Sequence, residues 1–219
     1  MRRTFLRLSL IAVISCAPLG LAGGIAGAAP AQTVAAGPVR VIRQFQDTLI
    51  TVMKGAATLG YRGRYAKLAP VVTRTHDLTV IARVALGRSW SRLTPAQRAE
   101  FLKTFAKLSI ATYAARFDGY GGEVFTPPTA HKLPRGDVLV ESQLKSPDGS
   151  KVQFGYQMRK IDGRWRIVNI IADGVSDLAL ERAEYSSVIR RYGFNALLTK
   201  LKERIAGYAR KGAGATAPS

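Results

Sequence analysis

The sequence predicts an α+β fold: helices, then a curved four-stranded antiparallel sheet, then helices again. Apolar residues recur at helical spacing before Gly119, the period changes to two from Gly121, and helical spacing returns after Ser176. Short links bearing Gly and Pro join the alternating segments. Such links make the sheet an antiparallel meander with its helices on one face.

The first residues carry Arg2, Arg3 and Arg7, an apolar run from Leu8 to Leu21 and the small-residue site Ala26-Gly27-Ala28. This is the layout of a secretory signal peptide over residues 1–28. Gly and Pro interrupt a run too short to span a bilayer. The general secretory route is favoured. Arg2-Arg3-Thr4-Phe5-Leu6-Arg7 also resembles a twin-arginine motif, and Val13-Ile14-Ser15-Cys16 a lipoprotein cleavage box, although the apolar run continues past Cys16. All three readings place the protein outside the cytoplasm. Cys16 is the only cysteine, so a chain cleaved after Ala28 relies on core packing without disulfides.

Residues 29–37 read as a disordered arm, 38–210 as one folded domain and 211–219 as a disordered tail. Pro38 suits the first turn of a helix whose apolar stripe is Ile42, Phe45, Leu49 and Val52. A second helix from about Arg64 to Thr75 contains Pro70, and Asp77 caps a third bearing Leu78, Ile81, Ala82 and Ala85. Thr94-Pro95-Ala96-Gln97 is a capping box with proline at the first helical position; Phe101, Phe105 and Leu108 follow on one stripe. Strands are expected over Glu123 to Lys132, Asp137 to Lys145, Lys151 to Lys160 and Arg164 to Ala172. Two last helices cover about Asp177 to Tyr192 and Asn195 to Ala209. Strand parity and helical stripes group Val140, Phe154, Tyr156, Met158 and Ile171 with Ile81, Phe105 and Leu108 around one apolar interior. Residue type alone leaves open whether that interior is a filled core or a hollow one.

The formal charge is +19, and removal of Arg2, Arg3 and Arg7 leaves +16. Outside the cytoplasm nucleic acid is scarce, so lipid head groups or an anionic membrane surface are the natural partners. Keeping the protein soluble is the other use of such charge. Arg190, Arg191, Lys200, Lys202 and Arg204 gather on the last two helices as the candidate membrane or partner surface.

Chemistry is sparse. No G-x-S-x-G, H-E-x-x-H or catalytic cysteine occurs, and the two histidines have no cysteines to make a zinc site. His76-Asp77 is the one tempting dyad, but adjacent residues at a helix start do not face each other, and Asp77 is explained as a cap. Gly119-Tyr120-Gly121-Gly122 lacks the lysine and helix of a phosphate loop; it reads as a helix stop leading into the first strand. Trp90 and Trp165 suit either core or a stacked ligand, with core favoured.

One stretch is more specific. Gly163-Arg164-Trp165-Arg166-Ile167-Val168-Asn169-Ile170-Ile171-Ala172-Asp173-Gly174-Val175-Ser176 resembles the G-x-W-[KR]-[IV]…[DE]-G-V-S signature of the MlaC family, the toluene-tolerance auxiliary proteins. The resemblance extends upstream through Leu86-Gly87-x-x-Trp90, Thr94-x-x-Gln97-Arg98, Phe101-x-x-x-Phe105 and Tyr113, and downstream to Arg182 and Tyr185, covering most of residues 38 to 208. Asn169 stands where the family commonly has Asp, Asp173 where Glu is usual, and His76 where an aromatic residue is usual. Tyr192-Gly193-Phe194-Asn195-x-Leu197-Leu198 resembles a branch associated with hopanoid-synthesis loci.

The resemblance implies an NTF2-like, cone-shaped fold enclosing acyl chains between sheet and helices. It implies a monomeric periplasmic lipid carrier, not an enzyme, with cargo lipid in place of a cofactor and no metal. The cargo would be a phospholipid or a hopanoid-like lipid. The partners would be an inner-membrane ABC-type transporter complex and an outer-membrane lipoprotein complex, with no nucleic acid. Ile81, Phe105, Leu108, Val140, Phe154, Tyr156, Met158 and Ile171 would then line the lipid cavity. An envelope scaffold with a filled core is the alternative class, and a cone-fold hydrolase using His76 and Asp77 a third.

Overall fold

A computed structural model describes residues 32–214; the expected signal peptide over residues 1–28, residues 29–31 and residues 215–219 lie outside the described residues. Helix α1 (Gln32–Lys54) buries Ile42, Phe45, Leu49 and Val52, the stripe read from the sequence. It begins ahead of Pro38, at Gln32. Ala35 and Ala36 are strong helix formers and carry the helix upstream at the cost of the backbone bond that Pro38 lacks. Helix α2 (Ala56–Thr75) breaks at Gly60, whose positive φ of 56° suits glycine. The Arg64 guanidinium is buried and donates to the carbonyls of Ala114 and Ala56, tying α2 to helix α5 (Pro95–Arg116).

Helix α3 (Leu78–Leu86) leads through a single turn, α4 (Ser89–Arg92), into α5 (Pro95–Arg116), which starts with the complete Thr94/Gln97 capping box. The last helix, α6 (Asp177–Gly214), is broken at Gly193 (φ 84°), as the two-helix reading anticipates, and extends beyond residue 210.

The sheet has six strands: β1 (Val124–Phe125), β2 (Thr129–Lys132), β3 (Val138–Lys145), β4 (Lys151–Ile161), β5 (Arg164–Ala172) and β6 (Val175–Ser176). All pairings are antiparallel, with β1 and β2 both on β3, β3 on β4, β4 on β5 and β5 on β6. The first expected strand is cut in two by Pro127-Pro128, which cannot donate to the ladder and so occur at an edge. A tight turn at Asp173 and Gly174, both at positive φ, folds β6 back on β5. Val138, Val140, Ser142, Tyr156, Met158 and Ile167 are buried on the helix-facing side.

A bulge changes one expectation. Gln157 pairs with Asn169 and Met158 with Ile167, leaving Val168 as the extra residue. One extra residue exchanges the faces of everything beyond it. Ile170, paired with Tyr156, therefore faces the helices. Ile171, paired with Gly155, lies on the opposite side, so its expected place in the interior is corrected. The interior is also two clusters. Val140, Tyr156, Met158 and the edge of Phe154 pack with α1 and α2, whereas Phe105, Leu108 and Ile81 pack with Tyr185, Leu197 and Leu201 of α6.

Candidate functional site

The site grows from a polar residue in an apolar stripe. Gln46 falls one turn after Ile42, on the face that α1 turns to the sheet, and is only 3% exposed. Its amide donates to the Ser142 hydroxyl at 2.6 Å and lies 3.4 Å from the Tyr156 hydroxyl, pinning α1 to β3 and β4. The cost of burying that amide is offset only because these partners are present.

Beside Gln46 opens a cleft of about 350 Å³. One wall is the flank of α1, with Arg43, Asp47, Ile50 and Lys54 at helical spacing. The other is the sheet edge and the loop before it, with Tyr120, Glu123 and Phe125 followed by Thr126-Pro127-Pro128. At the rim, Val124 is 55% exposed. Lys54 Nζ sits 5.3 Å from the centre of the Tyr120 ring. A Glu123 carboxylate oxygen accepts from the Gly121 N–H at 2.6 Å.

Behind the lining residue Phe125 lies an aromatic cluster of the core. Phe125 lies 6.1 Å from Phe154, ring centre to ring centre, and Phe154 stacks on Tyr156 at 5.9 Å. Phe45 meets Tyr156 edge-on. Of the residues expected at a lipid site, Phe154, Tyr156, Val140 and Met158 are thus gathered under α1. Phe105, Leu108 and Ile81 belong instead to the cluster formed by α3, α5 and α6. Gln46, Tyr120 and Glu123 were missed by sequence reasoning; for Gln46 the signal was there, a glutamine at a stripe position.

His76 and Asp77 form no dyad. The Asp77 carboxylate accepts from the Val80 N–H at 2.7 Å, as a cap does. His76 is 5% exposed. Its Nδ1 has only acceptors available, the Val72 carbonyl and the Thr75 hydroxyl oxygen, whose own proton goes to the Val71 carbonyl. Nδ1 therefore carries the proton, and Nε2 accepts from the Tyr113 hydroxyl at 3.0 Å. Burial drives the His76 pKa down to about 4, keeping the ring neutral. Asp77→Ala is expected to cost about 1 kcal/mol of stability in urea denaturation through the lost cap.

Trp90 lies away from the cleft, with the Arg83 and Arg98 guanidiniums 5.9 and 5.5 Å from its ring centre. Trp165 packs against Gly37. Among the described residues no cluster of His, Cys, Asp and Glu is arranged to hold a metal, and no helix is long and apolar enough to cross a membrane.

The family model for MlaC protein matches residues 43–203, well over half of the chain. The chain belongs to the MlaC family. Members of this family are lipid-binding carriers, not enzymes. Among solved structures, the MlaC-family fold seen here is similar to a phospholipid-binding protein from Ralstonia solanacearum in complex with a phospholipid. The TM-score is 0.67 at 23% identity, over 80% of this chain and 99% of that one. A likeness at that identity speaks to the fold.

The charged surface expected on α6 is partly engaged within the MlaC-family domain itself. Lys200 and Arg204 both pair with Glu184, and Lys202 pairs with Glu100. Arg190 and Arg191 make no ion pair among the described residues.

Proposed function

We propose that this protein is a periplasmic phospholipid carrier that takes lipid through the cleft between α1 and the β1–β2 edge. The carrying observation is a charged, open cleft whose lining Phe125 meets Phe154, which stacks on the buried Tyr156 of the apolar sheet face behind it. Ligand sites run from roughly 300 to 1,000 Å³, and a cleft of about 350 Å³ is at the small end. A two-tailed lipid is larger, so α1 and the edge strand part to admit it. The edge is suited to this: β1 and β2 are short, and Pro127-Pro128 interrupt their ladder. Each CH₂ taken from water then contributes roughly 0.8 kcal/mol.

Family membership and the phospholipid in the Ralstonia structure support the class of cargo. The signal-like residues 1–28 support export to the periplasm. In this reading the carrier moves lipid between an inner-membrane ABC-type transporter complex and an outer-membrane lipoprotein complex, and performs no chemistry.

Two tryptophan substitutions test the passage. Phe154 is half-buried behind the cleft, against its lining residue Phe125, whereas Met158 is fully buried. Phe154→Trp is expected to lower lipid captured from vesicles while leaving stability near wild type. Met158→Trp overpacks the core and is expected to cost about 1–3 kcal/mol. A Phe154→Trp protein that captures lipid normally but is strongly destabilised contradicts the passage.

Recruitment to anionic membranes predicts a salt dependence. Exposed charges are screened over roughly 8–10 Å at physiological ionic strength, whereas buried tails are not released by moderate salt. Binding to anionic vesicles is expected to fall between low and moderate salt, and further in Arg190→Gln/Arg191→Gln, with lipid already carried retained. Binding indifferent to both changes assigns the charge to solubility.

A further inference from the structure

The charge at the cleft is not that of the molecule. The chain has 33 basic and 14 acidic residues, yet the cleft is lined by two cations, Arg43 and Lys54, and two carboxylates, Asp47 and Glu123. None of the four makes an ion pair within the protein among the described residues. A site for a purely anionic head group on so basic a chain needs no carboxylates; they repel it. Two unpaired cations beside two unpaired carboxylates match a ligand carrying both signs.

We propose that the cleft is a head-group site for a zwitterionic phospholipid bearing a primary ammonium, with Arg43 and Lys54 on the phosphate and Asp47 and Glu123 on the ammonium. The assignment rests on the carrier reading above. Arg43 and Asp47 are one helical turn apart on α1, so they present opposite charges side by side. Glu123 is oriented by the Gly121 N–H, which fixes it on the far wall. Charge-assisted hydrogen bonds need donors on the ligand, and a primary ammonium has three where a quaternary one has none. A quaternary ammonium is instead recognised by aromatic faces; of the two aromatic rings lining this cleft, Tyr120 is already covered by Lys54 and Phe125 packs against Phe154. The site therefore selects ethanolamine over choline, and either over glycerol.

The test uses purified protein stripped of lipid and vesicles containing equal amounts of phosphatidylethanolamine, phosphatidylcholine and phosphatidylglycerol with identical tails. The protein is re-isolated and its lipid identified by mass spectrometry. Phosphatidylethanolamine is expected to be enriched roughly fivefold over the other two, as one modest charge-assisted contact gives. Asp47→Asn/Glu123→Gln is expected to lose that preference and favour phosphatidylglycerol. Asp47→Asn alone, at an exposed position, shifts the ratio the same way. Lipid that mirrors the vesicle composition in wild type, or a double variant with wild-type preference, overturns the head-group assignment and leaves the carrier reading standing. No lipid of any class on the wild-type protein overturns both.

Discussion

Phe45→Ala is expected to remove about 3–5 kcal/mol of folding stability, a large share of the roughly 5–15 kcal/mol that holds a domain together. Phe45 is fully buried where α1 crosses the sheet. It meets His76, Tyr113 and Tyr156 edge-on, with ring centres 5.2, 5.3 and 6.5 Å away. Truncation loses the transfer energy of the ring, leaves a cavity, and removes three aromatic pairs worth roughly 0.5–1.5 kcal/mol each beyond their area. The neighbours are sheet and helix residues that cannot close the gap without moving backbone. Urea denaturation of stripped and lipid-loaded protein makes the measurement sharper. The loss is expected to be smaller in the loaded protein, because an acyl chain under α1 fills the space. Equal losses in both states place the tails elsewhere, and a loss below about 1 kcal/mol, ordinary for surface positions, contradicts the packing.

Acid acts on the same cluster through His76. Its pKa falls from 6.5 to about 4 on folding, chiefly by burial. The unfolded chain therefore binds the proton first as pH drops, and stability present above about pH 6.5 is lost toward pH 4. At 1.36 kcal/mol per unit the loss is about 3 kcal/mol by pH 4. Glu181 opposes it. Burial and the neighbouring Asp177 raise its pKa to about 7, so the folded state holds that proton more tightly and gains stability as pH falls from 7 toward the unfolded value of 4.5. Glu181 keeps part of its surface in solvent, so screening reduces its share. The two opposing slopes make the wild-type curve alone uninformative. The difference between wild type and His76→Phe is the useful quantity, since phenylalanine fills the site without titrating. That difference is expected to fall by about 3 kcal/mol between pH 7 and pH 4, and a constant difference contradicts the buried neutral imidazole. Glu181→Gln tested the same way is expected to change with the opposite sign.

What the sequence made legible was local. The Thr94 capping box, the Asp77 cap, the break at Gly193 and strands β3 to β5 depend on residues close in the chain, and each formed as read. What escaped it depended on partners far away. Nothing near Val168 announces the bulge, yet it decides that Ile170 and not Ile171 faces the helices. The apolar stripe of α5 was visible, but its partner was not: Phe105 and Leu108 pack on α6 and not on the sheet. Pro127-Pro128 did announce a break in the first strand, and the alternation around them concealed it. The cleft combines a helix flank with a loop more than sixty residues away, and no periodicity joins Arg43 to Tyr120 or Glu123. The one legible clue was Gln46 in an otherwise apolar stripe, the mark of a buried polar contact.

The most direct test of the carrier reading is to denature the purified protein, extract it with organic solvent and measure the extract by mass spectrometry against protein concentration. The protein should come from a Gram-negative periplasm, where phospholipid is at hand throughout folding and purification. A carrier yields phospholipid in equimolar amount, reduced in Phe154→Trp at unchanged stability. A folded protein that yields no lipid, from the wild type as from the variant, contradicts the account and makes the apolar face under α1 an ordinary filled core.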